Sequence, residues 1–209
     1  MPYTPLSLNE NTPSRLKRFI EQHLNPQFED VFCMLQLPKP EVGLNASCHI
    51  SAANSLLALV SGLAALRESN FDTTGVARTK FIKVMLDYYP WSQQPPYGTT
   101  KEVAAEDLYD NFRNPLSHAL GLRTRGNFVI NIGRVGVPSS QYLERISNSD
   151  TSPGIALTYR DVEFKGEGIK EKTLDVVNFY WGVRQMVSEL TSDSQEVTKI
   201  ENALETHGV

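Results

Sequence analysis

Cysteine is scarce in this 209-residue chain. Cys33 and Cys48 stand alone, with no C-x-x-C pair to found a zinc site or a redox motif. Two thiols cannot make a disulfide framework, and both are expected to be reduced, buried residues of a cytoplasmic protein. Histidine is scarce too: residues 23, 49, 118 and 207 are too scattered to form a metal-ligand set. No metal and no other cofactor is expected. The opening residues, Met-Pro-Tyr-Thr-Pro, lack a basic region followed by an apolar run, so no secretory signal is expected, and Asn45-Ala46-Ser47 reads as a chance sequon. An excess of positive charge is also missing. The net charge of -4 argues against a protein that coats nucleic acid through bulk electrostatics. Internal repeats, low-complexity tracts and a domain linker are absent, which leaves a single domain over 1–209.

Two local absences are more informative. Residues 42–66 contain no Lys, Arg, Asp or Glu. That length could span a bilayer, but about seven polar residues are scattered through it and no second apolar segment follows. The expectation is a helix buried in the middle of a bundle, with no membrane association and with His49 as a hydrogen-bonded core residue. Between residues 113 and 145, lysine is missing and Glu144 is the single acid, while arginine occurs at 113, 123, 125, 134 and 145. Arginine without lysine suits bidentate phosphate contact, or else forms an ordinary solvated face.

What is present reads as mainly helical. Thr12-Pro13 resembles a helix start, followed by Leu16, Phe19, Ile20 and Leu24 at amphipathic spacing, with Asn25-Pro26 as the stop. A short element near 28–37 ends at Pro38. Helices are predicted over 75–89 and from about Thr100, with Ala104, Leu108 and Phe112 on the inner face and Gly121 as terminator. Residues 90–100, rich in proline, form a loop. The stretches 127–132 and 155–164 carry β-branched and aromatic runs bounded by glycine, and read as a paired β-hairpin inserted within 123–165, with a short helix over 142–146 between them. Helical period returns over 169–190, where Val176, Val177, Tyr180, Val183, Val187 and Leu190 share a stripe, and a polar helix or tail follows Ser192.

The strongest functional candidate is Arg113-Asn114-Pro115-Leu116-Ser117-His118. Arg-x4-His spacing recurs at Arg18 and His23, so the weight falls on Asn114 after the arginine and on the helical setting. The chemistry suits metal-free RNA cleavage. His118 can take or give a proton near neutral pH, Arg113 can hold non-bridging phosphate oxygens, and Asn114 can orient the histidine. On an uninterrupted helix Asn114 and His118 share a face, whereas Arg113 points about 140° away from His118. Pro115 disfavours helical geometry at Asn114, so the expected arrangement has Asn114 as an N-cap, Pro115 as the first helical residue, and Arg113 free to swing toward His118 beside a phosphate-favouring helix start. Glu106 and Asp110 are placed to pair with Arg113.

Over residues 102–122 this pattern resembles the HEPN superfamily. The resemblance implies a helical bundle with Arg113, Asn114 and His118 as catalytic residues and Arg123 and Arg125 as further RNA contacts. It also implies a homodimer that completes the site, and a place among metal-independent ribonucleases or RNA-binding proteins of defence or toxin–antitoxin type, where an antitoxin-like partner is expected. The alternative is a non-catalytic helical protein for dimerisation or partner binding. Other motifs yield little. Ser117 and His118 are adjacent and cannot form a hydrolase dyad on a helix. Gly133-Arg134-Val135-Gly136 lacks the strand–loop–helix context of a phosphate loop. Tyr88-Tyr89-Pro90-Trp91 reads as the packed end of a helix or as a base-stacking platform.

Overall fold

The computed structural model describes residues 3–8, 10–37, 48–68, 73–118, 128–133, 158–163 and 170–208, without the His118 side chain. It is mainly helical with a small three-stranded sheet. The expected helix over 142–146, together with Arg123, Arg125, Arg134 and Arg145, lies outside the described residues.

The first helical unit runs as α1 (Ser14–Phe19), a π-helical turn (Ile20–Leu24) and α2 (Asn25–Gln36). Asn25-Pro26 therefore does not stop the helix. Proline lacks an N–H and its ring crowds the carbonyl four residues back, and a π turn, bonded i→i+5, widens the coil at that place and lets the chain continue. Pro26 then stands within the continuing helix, where the widened turn accommodates its ring and its missing N–H. Asn25 is also used: its Oδ1 accepts from the Leu6 N–H at 2.9 Å and the Tyr3 hydroxyl at 3.1 Å, fastening the N-terminal segment. The N-terminal boundary also shifts, because Pro13 rather than Thr12 is the cap residue.

The uncharged stretch forms α3 (His49–Leu66), which packs on α2 and on α4 (Ala77–Tyr88). Among the described helices it alone is long and apolar enough to cross a membrane, and ten of its residues, His49 included, are buried inside the protein. Cys33 is exposed and Cys48 partly exposed, both as free thiols, which corrects the expectation of buried ones. Cys33 stands on the outer side of α2, whose inner side is Phe28, Val31, Phe32 and Leu35.

Thr100 accepts from the Val103 N–H and opens α5 (Lys101–Asp107), which runs through a second π turn (Leu108–Arg113) into α6 (Asn114–His118). The strands are β1 (Phe128–Gly133), β2 (Tyr159–Glu163) and β3 (Lys170–Asp175), in the order β1-β3-β2. β1 pairs parallel and β2 antiparallel with β3, so the two strands read from sequence do not form a hairpin. The separating strand is hidden in sequence because Lys170-Glu171-Lys172 is polar on both faces and runs without a turn into α7 (Val176–Ser192). Asp175 makes that switch. It is the last strand residue and the N-cap of α7, its Oδ1 accepting from the Val177 and Asn178 N–H groups at 3.0 Å. All six residues of the expected stripe on α7 are buried. Asp193 then caps α8 (Ser194–Thr206) in the same manner.

The aromatic cluster 88–91 is a packed helix end. Trp91 donates from Nε1 to the Met85 carbonyl at 2.8 Å, and the buried Tyr89 hydroxyl bonds Gln94 and Thr158. Gly182 on α7 makes that position possible, because a Cβ there would stand 2.2 Å from Tyr89 Oη and 2.3 Å from Cζ. Gly98 is similarly constrained: it has φ +77°, and an added Cβ would meet the Asp161 carbonyl oxygen at 2.0 Å, beside the bonds by which Tyr97 extends the β2 edge. Gly182→Ala should cost about 1–3 kcal/mol in denaturant unfolding, since the buried Tyr89 ring has nowhere to move. An unchanged midpoint would contradict this packing.

Candidate functional site

The helix that carries the motif lies across α3 and α4 and turns its other face toward the sheet. Between them is an open cleft of about 590 Å³. Glu106, Asp107 and Asp110 form one wall with the amides of Asn111 and Asn114, and Phe128 and Lys172 face them from the sheet. These wall positions recur every three or four residues, so they share one helix face.

Asp107 is the hub of the cleft. It accepts from Lys172 Nζ at 2.5 Å, from the Tyr159 hydroxyl at 2.6 Å and from Asn111 Nδ2 at 2.6 Å. Lys172 also reaches Asp161 at 3.1 Å and lies 5.4 Å from the centre of the Phe128 ring. Burial pulls the Lys172 pKa down, but the hydrogen bonds and charges of Asp107 and Asp161 outweigh it and hold the ammonium above its usual value. Burial, reinforced by the hydrogen bond to Asp107, pushes the Tyr159 phenol well up. A firmly charged lysine and a firmly neutral tyrosine serve neither as base nor as nucleophile near pH 7. The cluster instead ties α5 to β2 and β3. It escaped the sequence reading, although the charges of β2 alternate against those of β3: Asp161 faces Lys172 and Glu163 faces Lys170 in register.

Arg113 and Asn114 diverge. The second π turn keeps the helix continuous through Pro115, with Asn114 at φ -66° and ψ -48°, in the right-handed helical region. Asn114 is therefore not an N-cap, and no exposed helix start is created for a phosphate. Arg113 is not free to swing, which corrects the sequence expectation. Its Nε donates to Ser61 Oγ on α3 at 3.2 Å, and its guanidinium carbon lies 5.3 Å from the centre of the Tyr109 ring. Asn114 is exposed on the acidic cleft. The backbone of His118 ends α6, five residues after Arg113, which on a continuous helix sets the two about 140° apart.

Glu106 and Asp110 do not pair with Arg113 either. Both are taken by Arg78 of α4, which binds Asp110 in bidentate fashion at 3.0 and 2.9 Å and reaches Glu106 at 3.5 Å. The wider π turn carries Arg113 further round the axis from Asp110 than an α turn would. Arg113 is half-buried and has no carboxylate within ion-pair distance among the described residues. No family model, curated protein or solved structure matches this chain. The second Arg-x4-His copy is a surface feature: Arg18 and His23 are exposed, and the imidazole lies 5.5 Å from the Phe19 ring.

Lys172→Met should cost on the order of 2–4 kcal/mol at pH 7, because two largely buried carboxylates lose their cation. The raised lysine pKa means that this stability is fully present below the ordinary lysine value and fades as pH rises through the folded value. Urea unfolding of both proteins from neutral to strongly alkaline pH should show the gap narrowing on the alkaline side; a gap that widens there contradicts the assignment.

Proposed function

We propose that this chain is a HEPN-like RNA-binding protein in which Arg113 holds a backbone phosphate, and that RNA cleavage, where it occurs, needs a second copy of the chain. The observation that carries this reading is the charge state around Arg113. Of the acids on its own helix, Asp110 and Glu106 are held by Arg78 and Asp107 by Lys172, while the half-buried Arg113 has a hydroxyl and an aromatic ring. Its remaining donors suit a phosphate. On a continuous helix positions 113 and 118 stand about 140° apart, so in this reading one chain supplies only half of the site. Pairing of two motifs across a homodimer, as the resemblance implies, supplies the missing half, with His118 as acid or base and Asn114 as orienter. A cytoplasmic place and an antitoxin-like partner belong to the same proposal.

A second reading is a non-catalytic interaction protein. It is favoured by the sign of the cleft: a phosphate at Asn114 would meet Glu106, Asp107 and Asp110, which suits a polar or basic protein surface better than an RNA strand.

The two readings separate in one set of measurements on the full chain. Binding of short single-stranded RNA should weaken about tenfold in Arg113→Ala, and cleavage in EDTA should fall by roughly 10²-fold or more in His118→Ala, in a sample whose sedimentation shows a dimer. A monomer that neither binds nor cuts RNA leaves the interaction reading standing alone.

A further inference from the structure

A second basic site lies on the same side of α3 as Arg113. Where α3 ends, a small cavity of about 60 Å³ is lined by Arg67 and Glu68, by Lys80 and Lys83 of α4 and by Lys199 of α8, with Ala64 as its floor. Four cations and one carboxylate thus face a space of about two water molecules' share of liquid volume, which is also the scale of one tetrahedral oxyanion. Three of the cations are held in place. Arg67 is clamped by Glu196 at 2.6 Å and by Asp87 at 3.3 Å, Lys199 binds Glu196 at 2.7 Å, and Lys80 binds Glu68 at 2.6 Å. Lys83 is exposed and has no ion pair among the described residues. Glu68, Asp87, Glu196 and Asp193, which accepts from Tyr88 beside Arg67, balance the four cations in number, and Lys83 is the lining cation that none of them holds. Cations at the end of α3 also suit the helix dipole, but that accounts for Arg67 on α3 itself and not for lysines brought there by two other helices.

We propose that this cavity binds a phosphoryl group, and that in the RNA complex it takes a second backbone phosphate of the strand held by Arg113. Ser61, which receives Arg113, and Ala64, which floors the cavity, are three residues apart and so neighbours on one face of α3. The two sites are thus anchored about one helical turn apart along α3. Lys83 supplies an ammonium that no carboxylate among the described residues holds, and Lys80 and Lys199, each with one ion pair, keep donors for an oxyanion beside it. The identity of the ligand as RNA rests on the function proposed above; the phosphate site does not.

The test uses the full chain in phosphate-free buffer, with inorganic phosphate and a short single-stranded RNA as separate probes. Calorimetric titration should show phosphate binding that weakens about tenfold in Lys83→Glu. For RNA, Lys83→Ala should lower affinity about threefold to tenfold and reduce the slope of log affinity against log salt by about one. Phosphate binding that depends on Lys83, with no RNA binding by the wild type, keeps the site and removes RNA as its ligand. RNA binding indifferent to Lys83, with no phosphate binding, overturns the site and leaves the role of Arg113 intact. If Lys83→Ala changes thermal stability but neither binding, the cluster serves the helix end only and the proposal fails.

Discussion

An 18-residue helix without a charged side chain has to be covered, and the rest of this molecule is arranged to cover α3. Its buried residues, from Ala52 and Ala53 through Leu56, Leu57, Leu59, Val60 and Leu63 to Leu66, fill one side of the helix, about half of its circumference. No single neighbour could bury them, so α2, α4, α7, α8, the second π turn and β1 each pack against part of the surface. The hydrophobic gain is roughly proportional to the apolar area removed from water, which makes α3 the shared partner of elements distant in sequence. The polar residues left outward, Ser61 above all, then become the points at which surrounding side chains are received.

The two Asn-Pro pairs show how local chemistry is overruled by that packing. Isolated from context, Pro26 and Pro115 each predict a helix boundary. In both places the preceding turn widens to π geometry and the helix continues. The benefit is burial: Leu24 and Phe28 stay on one side of the first unit, and Phe112 and Leu116 on one side of the second. At the second site the wider turn has a chemical consequence, because it separates Arg113 from Asp110 and directs Arg113 to α3 while Asp110 goes to Arg78. A π turn next to a candidate site is a recurrent association, and here its effect is to leave one guanidinium without an acid.

Charge is distributed accordingly. The cleft between the motif helix and the sheet is acidic, with Asp107 gathering Lys172, Tyr159 and Asn111. On the side of α3 that meets Arg113 and α4, Arg113 and Lys83 are cations without an ion pair among the described residues. Net charge conceals this division, since the acidic total reflects both faces together. A functional reading drawn from the total alone would discard nucleic acid, whereas the local fields leave room for it on one side.

The sequence by itself determined the helical class, the central buried helix, the inner stripe of α7 and the packed aromatic end at residues 88–91, because periodicity and the absence of charge are local properties read along one segment. It also located two of the three strands. It could not show β3, whose Lys170 and Lys172 look solvated until Glu163 and Asp161 stand opposite them. Nor could it show that Arg113 turns to Ser61 and Asn114 to an acidic cleft. Those outcomes depend on which distant residue each side chain meets, and only the tertiary structure decides that, since the energy of a charge is set by its neighbours in space.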